Sequence, residues 1–576
     1  RLHHPTPQAR LGVDVAERGH SIIADHSQCI GCSACTRVCP TRALRVRDKI
    51  VHTKEQLCVN CGGCIVACKH GALRARTSTS ADLERFKIRV AIPSLVLYGQ
   101  FGEDVLPGQI LHAFRSLGFD LACDISWVCE MVAAAIDAYL TECQGPWPKI
   151  SMTCPAVVRL IQLQYPDLIP HLIPIDTPRE VASKLNRERL AAEHGVAPAD
   201  IGMFYISPCT ALVDAIERPL GRRTSSLDGA FSISELYGPL LRAIRNSPGV
   251  EAEDQVSIRG LRWVMANGEI PGMRNVNSIS VKGLQDVIYV LDQVEAGRCS
   301  GADFVNAYIC SDGCFSGQLT IASRYSAQRY LHAIVRQLRD PAPVKEERVR
   351  RLMRARLFEL DTAISPRPVS PPNGDLRQSA ARQRQKREIW SQLPKRDCGA
   401  CGAPDCDSLA GDVVDGEAHL MECPFFQIEQ LSREHPSPTP PPTVRRLAVR
   451  ACCPHCNLML TQGEHLEIAV VTPGFEPPVR VTLSALVGES VAKSGGEVPE
   501  GTVMQIRCPE CGASLEISER CGVCAAPLAR LALRGGGTYQ ICSRRGCRGQ
   551  TISGACTSEG LVALAEPATH ASQEGG

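Results

Sequence analysis

The chain has 576 residues, 44% of them apolar and 22% charged, with a formal net charge of +2. That length exceeds a single hydrophobic core and calls for several domains of roughly 100–200 residues each, while the near-balanced charge gives no compositional case for nucleic acid or an anionic membrane surface. No run approaches the ~18 uninterrupted apolar residues of a membrane helix, and the opening RLHHPTPQAR lacks the pattern of a secretory signal; it starts on Arg rather than Met, so the natural start is expected further upstream.

The 30 cysteines carry most of the information. They fall largely in C-x-x-C groups within a long chain without an export signal. That pattern favours metal ligation over disulfides and a reducing, cytoplasmic compartment. In chain order, residues 20–78 come first. Cys29, Cys32, Cys35 and Cys39 form C-x2-C-x2-C-x3-C-P, and Cys58, Cys61, Cys64 and Cys68 repeat the spacing. Three closely spaced thiolates wrap one face of a cubane and the fourth reaches across to a second one, as in two-cluster bacterial ferredoxins. One [4Fe–4S] cluster is therefore assigned to Cys29, Cys32, Cys35 and Cys68, and the other to Cys39, Cys58, Cys61 and Cys64, in a ferredoxin-like α+β unit. Lys69 stands where a second Pro is expected. Zinc also uses C-x2-C pairs, but it takes four ligands per site rather than two tight triplets each followed by a distant fourth.

Residues 86–335 read as an α/β body. FKIRVAIPSLVLY and MFYISPC have the character of buried strands, and DLACDISWVCEMVAAAIDAYL and LQDVIYVLDQVEAG that of helices. Four cysteines lie far apart here, in Ser151-Met152-Thr153-Cys154-Pro155, Ser207-Pro208-Cys209-Thr210 and Cys310-Ser311-Asp312-Gly313-Cys314. Spacing alone does not join them, and taken singly they read as buried thiols. The ordered segments RVAIPSLVLYGQFG, FRSLGFDLACDISW, SMTCPAVVRLIQLQYPDLIPHL, FYISPCTAL and YICSDGCFSGQLT, following a two-cluster unit, resemble the catalytic domain of the iron-only ([FeFe]) hydrogenases over about residues 20–335. The resemblance implies that Cys154, Cys209, Cys310 and Cys314 hold a further [4Fe–4S] cluster, and that Cys314 matches the cysteine bridging it to a diiron site in active members.

The departures from that family matter equally. Thr153 stands where active members carry a proton-relaying Cys, and a hydroxyl has a far higher pKa than a thiol. Leu212 replaces a Lys that contacts a cyanide ligand. On the helix matching Cys129 to Ile136, the acidic relay positions fall on Ala135 and Ile136. GCFSGQLT is also closer to the shorter ending of sensory members. The resemblance thus implies a sensory or degenerate type without efficient hydrogen turnover, and leaves a diiron subsite open.

A linker is expected at 365–384, beginning SPRPVSPPNGD and running into the polar LRQSAARQRQKR. It leads to a small unit at 385–430, where Cys398, Cys401, Cys406 and Cys423 form C-x2-C-x4-C-x16-C. Glycines let that backbone wrap a bulky inorganic core, and a helix over LAGDVVDGEA spaces the last ligand. It resembles the small four-cysteine [4Fe–4S] domain of electron-transport subunits and sensory hydrogenases, with zinc as the alternative. A Pro-rich linker over 433–446 follows. Residues 447–556 then read as β-rich zinc ribbons: Cys453, Cys456, Cys508 and Cys511 for one ion, and Cys521, Cys524, Cys542 and Cys547 for the second. Cys452 and His455 leave the first register open, and Cys123, Cys129, Cys143, Cys299 and Cys556 have no assigned role.

The fold class is multidomain α/β, and the expected function is electron transfer between several [4Fe–4S] clusters through a hydrogenase-like core. The output is redox or hydrogen sensing, or relay within a complex, with the two zinc sites docking a redox partner protein or complex subunit. An active hydrogenase and a transcriptional regulator acting through the ribbons are the alternatives; RRLAVR and CSRRGCR are basic, but few aromatics accompany them to stack bases.

Overall fold

A computed structural model describes residues 21–247, 256–265, 276–339, 342–367, 376–434, 446–472, 475–487, 492–494, 498–534, 536–547, 549–553 and 561–564. Cys556 and parts of both expected linkers, at 368–375 and 435–445, lie outside them. The chain divides into two compact units, 1–385 with 402–404, and 386–401 with 405–576.

In the first unit the duplicated motif folds as a small two-layer structure. Ile22–Ala24 pairs antiparallel with Leu73–Ala75, and Leu44–Arg47 with Ile50–Thr53. Two short helices, Ala34–Arg37 and Gly63–Ala67, each start inside one cysteine motif. Ile22, Leu44, Val51 and Leu73 pack with Cys35 and Cys64. So few apolar side chains make a slight core, and the balance falls to bound metal.

The α/β body holds two parallel sheets. One runs Leu121–Ala122, Ile88–Pro93, Ile201–Ser207, Gly229–Ser232; the other runs Ser278–Lys282, Phe304–Tyr308, Lys149–Ile150. The Ile201–Ser207 strand is buried throughout, as a parallel strand covered by helices on both faces must be. Two of the sequence expectations need trimming. FKIRVAIPSLVLY is not one strand: it stops at Pro93, which has no N–H for a ladder, and Leu95–Gly99 is a 3-10 turn. In DLACDISWVCEMVAAAIDAYL, Leu121–Ala122 joins the sheet and the helix is Ser126–Glu142, where Asp124 accepts from the Ser126 N–H. LQDVIYVLDQVEAG forms the expected helix, Leu284–Glu295.

The polar run placed in a linker is helical, and the division between the two units falls within that helix, after 385. Leu376–Gln392 is a continuous helix, because Ala, Arg, Gln and Lys are strong helix formers and no Pro or Gly interrupts them. In the second unit, Cys406–Val414 and Pro424–Glu434 are helices. Beyond them the described elements are all β-strands. One sheet centres on the His465–Thr472 and Phe475–Ser484 hairpin; the other orders Ala451–Cys452, Pro527–Leu533, Thr538–Cys542, Gln550–Ser553, with Glu516–Arg520 beside Pro527–Leu533. Among the described residues no helix is long and apolar enough to cross a membrane.

Candidate iron–sulfur and metal centres

The two N-terminal motifs bend alike. Gly31 and Asn60, two residues after each first cysteine, and Ser33 and Gly62, one after each second cysteine, have left-handed backbone (φ 71, 54, 57 and 72°). These corners curl each triplet so that three sulfurs can face one body. At Gly31 a Cβ would sit 2.8 Å from Lys49 Cα, so only glycine fits there without a shift. Burial pushes the Cys35 thiol up to about 11, and the charges of Cys32, Cys29 and Cys68 add to it. Burial pushes Cys58 up to about 11 and Cys61 up to about 12, with Cys39 acting on both. Cys64 is raised well above its usual value by burial, then by Cys61, Cys58 and Cys39, and less by Cys35. Cys29, Cys32, Cys35 and Cys68 thus lie together, as do Cys39, Cys58, Cys61 and Cys64. Each set draws on both motifs, and the two sets adjoin, since Cys35 also acts on Cys64. Burial thus favours the protonated form of Cys35, Cys58, Cys61 and Cys64, so a cluster loaded on them would release protons.

The four distant cysteines of the α/β body also converge. Cys154 is the N-cap of the Pro155–Gln164 helix and Cys209 the N-cap of Thr210–Glu217. Burial raises both thiols, Cys209 to about 12, while N–H groups of the first turns, Ala156 and Val157 for one and Leu212 and Ala211 for the other, oppose it. Two helix N-termini therefore favour negative charge on these sulfurs. Burial raises Cys310 and Cys314 further, and both feel Cys209 and Cys154. Cys61 of the N-terminal motif acts on Cys310, and Cys154 acts on Cys61.

Hydrogen bonds fasten that junction. Gln318 Nε2 donates to Cys61 O (3.1 Å) and to Thr210 Oγ1 (2.7 Å), and Thr210 Oγ1 donates to Asn60 O (2.8 Å). The loop after Cys314 presses on the residue before Cys209: a Cβ at Gly317 would lie 2.2 Å from Pro208 O. Gly317→Ala is accordingly expected to cost about 1–3 kcal/mol by overpacking. It should also part Cys314 from Cys209 and lower bound iron by about four atoms. Thermal melting and iron analysis read both effects, and unchanged values would mean that the loop yields.

The departures from the hydrogenase pattern are packed into this body. Thr153 gives its N–H to Ser151 Oγ at 3.1 Å. Leu212, Ala135 and Ile136 are core residues. Sequence reasoning missed the charged groups around the site. Asp214, fully buried, pairs with Arg159 (2.5 Å) and Arg218 (2.5 Å), and Arg179 is buried beside the cysteines. Nothing in their spacing points to them; for Arg159 and Asp214 only their place in helices that begin at Cys154 and Cys209 could have, and Arg179, in the Pro178–His194 helix, carries no such signal.

In the second unit, Cys406 opens its helix and donates its N–H to Asp397 Oδ1 (2.8 Å). Cys423 follows the Leu420–Glu422 turn and is buried, while Cys398 is exposed. Among the described residues, the sulfurs that gather within 4.8 Å as complete quartets are Cys453, Cys456, Cys508, Cys511 and Cys521, Cys524, Cys542, Cys547. Cys453 Sγ lies 3.8 Å from Cys511 Sγ, and Cys456 Sγ 3.7 Å from Cys508 Sγ. Cys521–Cys547 and Cys524–Cys542 are 3.8 and 3.4 Å apart. A tetrahedron with Zn–S bonds of ≈ 2.3 Å has edges of about 3.8 Å, so both donor sets fit that ion. Asn457, Gly512 and Ala525, each just after a C-x-x-C, are left-handed, and the His455, Val523 and Arg544 N–H groups point at Cys453, Cys521 and Cys542 sulfurs. The open register closes on Cys453: Cys452 Sγ turns to Met459 Sδ at 3.8 Å instead.

Comparison with known proteins agrees with this geometry. The family described as "Iron only hydrogenase large subunit, C-terminal domain" matches residues 87–243, a 4Fe-4S dicluster domain matches 21–69, and an Fe-S cluster family matches 393–425. The chain is a hydrogenase-like iron–sulfur protein. It is 29% identical over 235 residues to iron hydrogenase 1 of Clostridium pasteurianum, covering 36% of this chain and 41% of that protein. It is 24% identical over 379 residues to the periplasmic [Fe] hydrogenase large subunit of Nitratidesulfovibrio vulgaris, covering 55% of this chain and 89% of that one. A variant of the [FeFe]-hydrogenase of Chlamydomonas reinhardtii superposes with a TM-score of 0.40 and 17% identity, over 50% of this chain and 98% of that one.

Proposed function

We propose that the chain is an electron relay of sensory type. Electrons enter or leave through the N-terminal [4Fe–4S] pair, pass to a cluster on Cys154, Cys209, Cys310 and Cys314, and are also exchanged with a cluster on Cys398, Cys401, Cys406 and Cys423. The observation that carries this reading is the junction at Cys61. A sulfur of the N-terminal set and sulfurs of the central set act on one another, inside one buried unit, with Gln318 and Thr210 holding the backbone in place. When bound, such clusters supply one-electron storage without acid–base chemistry of their own. The residues do the rest: cysteines hold, helix N-termini favour the anionic state, and the apolar surroundings exclude water.

Thr153, Leu212, Ala135 and Ile136 favour relay or sensing over turnover, because none can take up or hand on a proton near neutral pH. The two ribbon quartets are read as structural zinc sites that present a docking module to a redox partner, in a reducing cytoplasmic setting. The family match and the retained Cys314 favour an active hydrogenase as the second reading.

Protein produced with the assembly factors for a diiron centre separates them. About sixteen iron atoms and about two zinc per chain are expected, for four cubanes and two ribbons, with no infrared bands from metal-bound CO or cyanide. Such bands, together with fast hydrogen-dependent dye reduction, would replace the relay reading by the enzymatic one. About eight iron atoms would limit it to the N-terminal pair.

A further inference from the structure

Arg179 stands in the first turn of the Pro178–His194 helix with its side chain only 8% exposed. A guanidinium so far from water costs several kcal/mol unless its charge is met. The neighbouring Arg222 is met: it pairs with Asp176 through Nε and Nη2. Glu180 is engaged as well, since Oε1 accepts from Ser225 Oγ (2.6 Å), Oε2 accepts from the Ser226 N–H (2.7 Å), and Arg222 lies 4.0 Å away. Among the described residues, the carboxylate nearest Arg179 is Glu180, 4.0 Å from Nε to Oε1, and that buried Nε has no hydrogen-bond partner there.

The side chain lines the closed space beside the Thr153–Cys154 turn, together with Met152 and Pro155. Its charge acts on Cys154, Cys209 and Cys314, three of the four central cysteines, and on Tyr205. Lys282 also acts on Cys314, but Asp312 opposes it and its Nζ reaches Met265 O at 3.4 Å. With neutral thiols, Arg179 has, among the described residues, only the distant Glu180 carboxylate, which Ser225, Ser226 and Arg222 already engage, and Asp176, which Arg222 holds, lining the same space. As four thiolates around a [4Fe–4S] core the cysteines form an anion, and each added electron makes it more negative.

We propose that Arg179 is the fixed counter-charge of the cluster held by Cys154, Cys209, Cys310 and Cys314, and that it raises the reduction potential of that cluster. The proposal rests on the reading of those cysteines as cluster ligands. The step it governs is one-electron reduction by an external donor such as dithionite, with the electron entering the cluster and no proton or bond exchanged. Arg179 is a positioning charge rather than a ligand. Its counterpart is electrostatic, so Lys at this position should serve where Gln should not.

The test is a mediated redox titration of the reconstituted full chain, followed by electron paramagnetic resonance, in the native protein, R179Q, R179K and C209S. The signal that C209S removes identifies the central cluster. At the native midpoint of that cluster, R179Q is expected to lower the ratio of reduced to oxidised cluster at least tenfold, equivalent to about 59 mV for one electron. R179K should stay near the native value, and the N-terminal signals should not move. Selective loss of about four iron atoms in R179Q but not in R179K would equally support a counter-charge. An unshifted midpoint in R179Q, or the same loss in R179K, overturns the proposal. If C209S changes neither iron content nor spectrum, the cluster assignment itself fails.

Discussion

Asp214→Ala is expected to destabilise the α/β body by about 3–5 kcal/mol, the usual cost of leaving a buried charge without its partner. Asp214 is wholly buried and Arg159 nearly so, and they meet at 2.5 Å. Burial drives the Arg159 guanidinium down to about 10, with Asp214 the main opposing influence. Arg218 also reaches Asp214, through Nη2 at 2.5 Å and Nε at 3.1 Å. Removal of the carboxylate therefore strands one buried cation and unties a half-exposed one. The consequence reaches the cysteines, because Arg159 lies on the helix capped by Cys154 and Asp214 on the helix capped by Cys209. Hydrogen exchange across 155–164 and 210–217 should rise, and about four iron atoms should be lost. The double variant D214A/R159M should recover much of the stability, since apolar replacement of both partners removes the unmet charge. Exchange rates unchanged in D214A would show that water reaches the pair.

Cys542→Ala is expected to reduce bound zinc from about two ions to one and to unfold the chain over Glu516–Ser553. Structural zinc is worth about 10–16 kcal/mol in small metal-dependent domains. The packing around this quartet is slight, with only Ala526 and Leu528 buried beside Cys521 and Cys542. The first quartet has more to lean on, because Cys453 and Cys508 sit in a core with Leu466, Ile468, Ile506 and Tyr539. Cys508→Ala should thus lose its ion yet keep more of the His465–Thr472 and Phe475–Ser484 hairpin protected. Zinc analysis and hydrogen exchange compare the two variants. Equal protection of Glu516–Ser553 before and after C542A would assign that region's stability to its strands rather than to a metal.

Local pattern made some of these sites legible and left others silent. The paired ferredoxin-type motifs could be sorted into two crossed sets because ligand spacing within each triplet is a local constraint. The ribbon knuckles were equally plain, for a C-x-x-C turn carries its own geometry. Cys154, Cys209, Cys310 and Cys314 were joined only through a family resemblance, since their meeting depends on the sheets and on two helix N-caps. Cys452 and Cys453 differ by one residue, and along a strand that one step turns the side chain to the opposite face. Register therefore had to wait for the fold. The polar run at Leu376–Gln392 shows the converse: without Pro or Gly it has strong helix propensity, so a segment placed at a domain boundary carries regular structure of its own.

The sequence by itself determined that this is a multi-cluster iron–sulfur protein, with ferredoxin-type cysteines at the N-terminus, a hydrogenase-like body and two C-x-x-C ribbons, because thiolate spacing is a nearly complete description of such ligand sets. Only the tertiary structure decided that Cys61 packs on the same core as Cys154 and Cys310, that Cys453 rather than Cys452 enters its quartet, and that Arg159, Asp214 and Arg179 bring charge into a dry interior. The reason is physical. Coulombic energies depend on distance and on exclusion of water, and residues dozens of positions apart acquire both only when helices and sheets bury them together.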